Sequence, residues 1–192
     1  MTNTRDKLNE ASFFLSQMKI ATNNKDSFRY YLSACVSALR SVTFFMQKEY
    51  AHTTNFSSWY NEKQTQLKAD KISAFFNDQR VNTNHIRPIA TLSQYQFYSP
   101  SIDLTKLTPG VGITFNVTNS VDEDGKPTVQ VHNIVDPSGA VAGEASAETQ
   151  WLFNELPQDD NPDNKDVLTL CEEQLHKLQK LVSECESLFT LE

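Results

Sequence analysis

Apolar residues recur at every third or fourth position along much of the first 87 residues of the chain. Residues 5–21 carry one such stripe, which predicts an amphipathic first helix. A longer stripe predicts a second helix that ends near Tyr50 and has Asp26 or Ser27 as its N-cap. The chain is therefore predicted to open with two helices, each burying one face.

Two shorter apolar stripes follow. The third predicted helix starts at a cap formed by Ser57 or Ser58 and ends near Lys68. The fourth ends near His85, because Pro88 disfavours helical geometry in the residue that precedes it. Four helices are thus predicted before any strand.

Strand signals replace the helical spacing between Pro88 and Pro162, where all 7 prolines and all 5 glycines of the chain lie. Apolar and polar residues alternate over residues 91–97, 112–118 and 128–132, which predicts a small antiparallel sheet or a long hairpin. Helical spacing then returns as a heptad seam over residues 164–190. This seam can pack within the same chain or form an intermolecular coiled coil.

The predicted fold class is therefore α+β, mainly α. An up-and-down helical bundle carries an inserted small antiparallel sheet or hairpin before its C-terminal helix. We expect residues 1–192 to form a single domain, in which residues 5–87 and 164–190 make the bundle and residues 88–160 the β-rich insertion.

The formal net charge of −7 conceals an uneven distribution. Residues 1–90 hold 12 basic and 7 acidic residues, whereas residues 91–192 hold 5 and 17. A polyanion should therefore prefer the N-terminal helices. The composition excludes a disordered chain and a membrane protein, and no zinc or phosphate-loop motif predicts a metal or cofactor. Three cysteines and a polar N-terminal segment predict a cytoplasmic location.

One segment resembles a known family. In residues 75–85 an arginine, Arg80, is followed after four residues by a histidine, His85. Together with the long aromatic helix that begins near Ser27, this spacing resembles the HEPN family of small helical bundles. The resemblance covers about residues 5–87. One departure is Val81, where the family usually has a polar residue after the motif arginine.

The resemblance implies a metal-independent endoribonuclease of the toxin or defence type that acts as a homodimer on RNA, with an antitoxin or another protein as a further partner. Carried over, His85 moves the proton as an RNA 2′-hydroxyl attacks the adjacent phosphate, and Arg80 stabilises the developing charge. Asn82 and Asn84 are the predicted supporting residues. Five helical steps separate the pair by about 140°, so they converge only if the helix breaks there or if two protomers contribute.

Four further basic residues are predicted to contact RNA phosphates, with a solvated helix face as the alternative role for each: Arg29, Arg40, Lys71 and Arg87. The competing hypothesis for the whole chain is a helical interaction or scaffold module without catalysis. A third hypothesis is a module that binds a nucleotide or another small ligand in a cleft of the bundle.

Overall fold

The computed structural model describes residues 1–85, 87–98, 101–106, 114–121, 127–135, 137–142 and 146–190. The chain divides into two compact units. Residues 1–92 and 151–192 form the first unit, and residues 93–150 form the second. The prediction of a single domain stays a prediction.

The first unit contains five α-helices, whose number and order agree with the sequence prediction. The bounds are α1 Asn3–Ile20, α2 Lys25–Tyr50, α3 Phe56–Ala69, α4 Lys71–His85 and α5 Val167–Leu188. Helix α2 packs against α1, α4 and α5. A short 3-10 helix, Gln158–Asp160, precedes α5.

The apolar stripes predicted from the sequence form the core of this unit. The fully buried side chains include Phe28, Leu32, Leu39 and Met46 of α2, all on one helical face. The seam of α5 is buried within the same chain at its positions Cys171, Leu175, Leu178, Val182, Cys185 and Phe189. The seam therefore packs inside the bundle.

The helix starts differ from the predicted caps in two places. Asn24, rather than Asp26 or Ser27, caps α2 by accepting a hydrogen bond from the Ser27 amide at 3.0 Å. Helix α3 begins after Asn55, whose φ of 66° is left-handed, so the predicted serine cap is wrong. Short polar residues cluster at both starts, and the local sequence does not choose among them.

The remaining described elements are six strands and a 3-10 helix at Leu104–Lys106. The strand bounds are β1 Thr91–Tyr98, β2 Ser101–Ile102, β3 Thr114–Val121, β4 Pro127–Val135, β5 Val141–Ala142 and β6 Ser146–Phe153. They pair as β1 with β6, β2 with β5, and β3 with β4. The predicted antiparallel pairing is confirmed for β3 and β4, with a register shift between Phe115 and Asn116.

Within the described residues, none of the helices is long and apolar enough to cross a bilayer. The same residues contain no group of three or more His, Cys, Asp or Glu side chains placed to hold a metal ion.

Candidate functional site

The predicted catalytic pair lies on a helix that continues without a break. Helix α4 runs from Lys71 to His85, so a break at residues 82–84, one of the two ways in which the pair could converge, is absent from the backbone. Five uninterrupted helical steps place positions 80 and 85 about 140° apart around the axis. The geometry of one helix therefore does not bring the two positions together.

Arg80 itself is half-buried, and its Nε atom is buried without a hydrogen-bond partner. It makes no ion pair within the part of the chain that the structure describes. The side chains of His85 and of the predicted supporting residues Asn82 and Asn84 lie outside the described part of the structure. Their catalytic role stays a prediction.

Three of the four predicted RNA contacts are ion-paired. Arg29 pairs with Asp26 at 3.4 Å, and Lys71 pairs with Asp160. Arg87 pairs with Glu155, with 2.5 Å between Nη2 and Oε1. Hydrogen bonding to Asp160 raises the pKa of Lys71. The three basic side chains that were expected to contact RNA phosphates are therefore already paired with carboxylates.

The fourth predicted contact, Arg40, lines a cleft between helices α2, α3, α4 and α5. The cleft has a volume of about 270 Å³. Its apolar wall consists of Leu39, Tyr60, Leu67, Ala74, Phe76 and Leu178. Clefts between bundle helices, with apolar walls and a few polar groups, are common sites for small ligands.

Neighbouring neutral groups fix the Arg40 guanidinium at this cleft. Its Nε donates to Asn77 Oδ1 at 2.7 Å, and its Nη1 donates to Thr43 Oγ1 at 2.9 Å. Tyr60 supports the same turn of α2, because its hydroxyl donates to the Thr43 carbonyl oxygen at 3.1 Å. The positive charge of Arg40 is thus held in place by acceptors that do not neutralise it.

A second polar group lies among the apolar walls. Ser73 Oγ donates to Gln174 Oε1 at 3.0 Å, and both side chains line the cleft. Gln174 is only 6% exposed, and its Nε2 donates to no described acceptor. This nitrogen is not among the buried unpaired side-chain atoms of the described residues, so it remains open to water or to a ligand in the cleft.

The lining also includes two charged residues, Lys68 on α3 and Asp78 on α4. Both are exposed. Neither makes an ion pair within the described ranges. With Arg40, the cleft carries two cations and one carboxylate, so its field favours an anion.

Sequence reasoning singled out Arg40 but missed the other polar residues of the cleft. One signal for Gln174 was present. It stands four residues from both Leu170 and Leu178, which places a polar side chain on the apolar face of α5. Lys68 and Asn77 gave no comparable signal, because their neighbours in the cleft come from other helices.

Fold and cleft together define a helical bundle with a ligand-sized cleft and a β-rich insertion. A family model described as bacteriophage lambda protein ea47 matches residues 2–96, just under half of the chain. The matched residues cover α1–α4 and the start of β1, so this chain is similar to that phage family over its N-terminal helices. Neither the curated proteins nor the solved structures contain a match.

The resemblance to the HEPN family is therefore wrong. The segment that carried it, about residues 5–87, lies within the match to the phage family. An arginine and a histidine separated by four residues is a short pattern, and apolar stripes at helical spacing occur in all amphipathic bundles. The departure at Val81 is consistent with this correction.

Proposed function

We propose that this chain is a non-catalytic helical module that binds a small ligand in the cleft between α2, α3, α4 and α5. The observation that carries the proposal is a polar constellation, Arg40 and Gln174, held over apolar walls and left with unused donors. Preformed clefts of this kind supply apolar contact for affinity and a few fixed polar groups for orientation.

The distribution of ion pairs supports a small ligand over a long polyanion. Five basic residues of the N-terminal helices and the segment after them pair with carboxylates from residues 151–192: Arg5, Lys19, Lys63, Lys71 and Arg87. The first unit holds 15 basic and 17 acidic residues and is not basic overall. RNA binding relies on cations that are free to replace counterions.

The other expectations stay predictions. No contact within the described residues bears on RNA cleavage, on a homodimer or on an antitoxin-like partner. We also propose a reducing compartment such as the cytoplasm, because Cys35, Cys171 and Cys185 are buried free thiols.

The cleft is tested by filling it. Ala74 lines the cleft and is half-buried, so Ala74→Phe places a ring in the space that a ligand would use. The matched control is Ala51→Phe, at an exposed alanine after the end of α2. Binding of two fluorescent probes is measured by anisotropy: naphthalene carboxylate and the neutral naphthalene carboxamide of the same shape.

We expect wild type and Ala51→Phe to bind at least one of the probes, and Ala74→Phe to lose at least about tenfold in affinity. Circular dichroism and thermal unfolding confirm that both variants are folded. Equal affinity of the two folded variants for the probes would show that the cleft is not the binding site.

A further inference from the structure

We propose that the ligand of this cleft is a small organic anion. Its acidic group binds at the rim between Arg40 and Lys68, and its apolar body extends along Phe76 toward the amide of Gln174. This inference rests on the proposed function, since it specifies the ligand class of the same cleft.

The first step concerns the unused donors of Arg40. A guanidinium has five N–H donors, of which the described residues occupy one at Nε and one at Nη1. Both acceptors, Asn77 and Thr43, are neutral. The planar fork is therefore already oriented while its charge remains available, which is the arrangement that suits bidentate binding of a carboxylate or phosphate.

The second step is the contrast with other basic side chains of this unit. Lys63, Lys71 and Lys177 each have a carboxylate within ion-pair distance. Lys68 lies on the same helix as Lys63 and has none within the described part of the chain. The two cations that line the cleft are thus both left without an acidic partner, although acidic side chains are plentiful in this protein.

The third step concerns the far end of the ligand. The Gln174 amide nitrogen lies in the cleft lining and donates to none of the described residues, and Ser73 Oγ already engages the amide oxygen. A ligand whose apolar body ends in a hydrogen-bond acceptor would satisfy this nitrogen. The walls between the two polar ends are apolar, so the body of the ligand should be a ring or a short branched hydrocarbon.

The test uses the two naphthalene probes with charge variants of the lining. Arg40→Gln and Lys68→Gln should each weaken binding of the carboxylate about two- to fivefold, because each removes one charge interaction at an exposed side chain. Binding of the carboxamide should change less than about twofold, since it carries no charge. Asp78→Asn should act in the opposite direction and tighten binding of the carboxylate about two- to threefold.

Two controls separate this effect from general changes. Lys180→Gln removes an exposed lysine of α5 that is not part of the cleft, and it should leave the affinity of both probes unchanged. Raising the salt concentration should weaken carboxylate binding and spare the carboxamide. Lys68 and Asp78 are exposed side chains, so their variants keep the test valid even if Arg40→Gln fails to fold.

The outcomes distinguish this inference from the proposed function. If Ala74→Phe removes binding of both probes while the charge variants alter neither, the cleft binds ligands but does not select anions, and the inference is overturned. If Ala74→Phe has no effect on either probe, the proposed function fails. Loss of carboxylate affinity in Arg40→Gln and Lys68→Gln, with gain in Asp78→Asn, supports the anion site.

Discussion

Glu49, near the end of α2, accepts hydrogen bonds from the N-terminus of α1. Its replacement should show how much this contact between the two helices contributes to the free energy of unfolding. Its Oε1 accepts from the Asn3 amide at 2.6 Å and from Asn3 Nδ2 at 2.7 Å. Its Oε2 accepts from the Thr4 amide at 2.8 Å and from Thr4 Oγ1 at 2.5 Å. One carboxylate therefore satisfies four donors at a helix start, where backbone amides otherwise lack partners.

Glu49→Gln keeps the shape of the side chain but replaces one acceptor oxygen by an NH₂ group. That group would face two donors, and on the side of Thr4, which is 0% exposed, water cannot take the place of the lost acceptor. Charged hydrogen bonds and helix caps contribute about 1–3 kcal/mol each, without full additivity. We expect the free energy of unfolding to fall by about 2–3 kcal/mol at pH 7.

The pH dependence provides a second check. Burial raises the pKa of Glu49, but the hydrogen bonds from Thr4 and Asn3 outweigh burial, so the pKa is lowered in the folded protein. A carboxylate whose pKa is lowered by folding stabilises the folded state at pH values above its unfolded pKa of about 4.3. This stabilisation is lost as the pH falls through the pKa of the folded state. The difference between wild type and Glu49→Gln should therefore shrink as the pH falls below about 4.3.

Urea unfolding followed by circular dichroism at pH 7 and at two lower pH values measures these differences. The matched control is Glu172→Gln, which removes an exposed ion pair with Lys19 at 2.5 Å and should cost less than about 1 kcal/mol. A Glu49→Gln difference below that of the control at pH 7, or one that stays constant on acidification, would refute the reasoning.

Three further changes test the packing. Trp151 stacks on Phe28 with 4.6 Å between ring centroids, and its Nε1 donates to the Thr22 carbonyl oxygen at 2.8 Å. In urea unfolding, Trp151→Ala should lower the free energy of unfolding by about 3–5 kcal/mol and Trp151→Phe by less, whereas equal losses would contradict the role of the ring. A hydrogen bond with the Cys35 thiol and full burial raise the pKa of Cys171, which keeps the thiol protonated at neutral pH. Iodoacetamide should therefore alkylate Cys171 at least about tenfold more slowly in the folded protein than in urea, as measured by mass spectrometry of its peptide. Asn55 has a left-handed φ of 66°. Thermal unfolding should show that Asn55→Ala lowers the free energy of unfolding by about 1–2 kcal/mol and that Asn55→Gly does not lower it; unchanged stability of Asn55→Ala would contradict the left-handed backbone.

The sequence predicted the helices well because helical periodicity is a local property. Each apolar stripe lies within a single segment, and the faces it marks on α2 and α5 are the faces that the structure buries. Helix starts were harder, as Asn24 shows. Several short polar residues there can cap the same turn, and only the structure shows that Asn24 accepts the hydrogen bond from the Ser27 amide.

Strand pairing depended more on the tertiary structure. The hairpin of β3 and β4 joins neighbouring segments, and its alternation was visible in the sequence. Strand β6 was not predicted, since its partner β1 lies about 50 residues earlier and its alternating positions include small and polar residues. Pairing across such a distance leaves little signal in either strand alone.

By itself, the sequence determined the order of helices, the buried seam of α5 and the uneven distribution of charge. It did not determine which charges remain available. Arg87 and Lys71 meet carboxylates that lie more than 60 residues later in the chain, whereas Arg40 meets only neutral acceptors. Periodicity is fixed by neighbouring residues, but an ion pair forms only when packing brings two distant side chains within about 4 Å, so the tertiary structure decided which cations have a carboxylate partner.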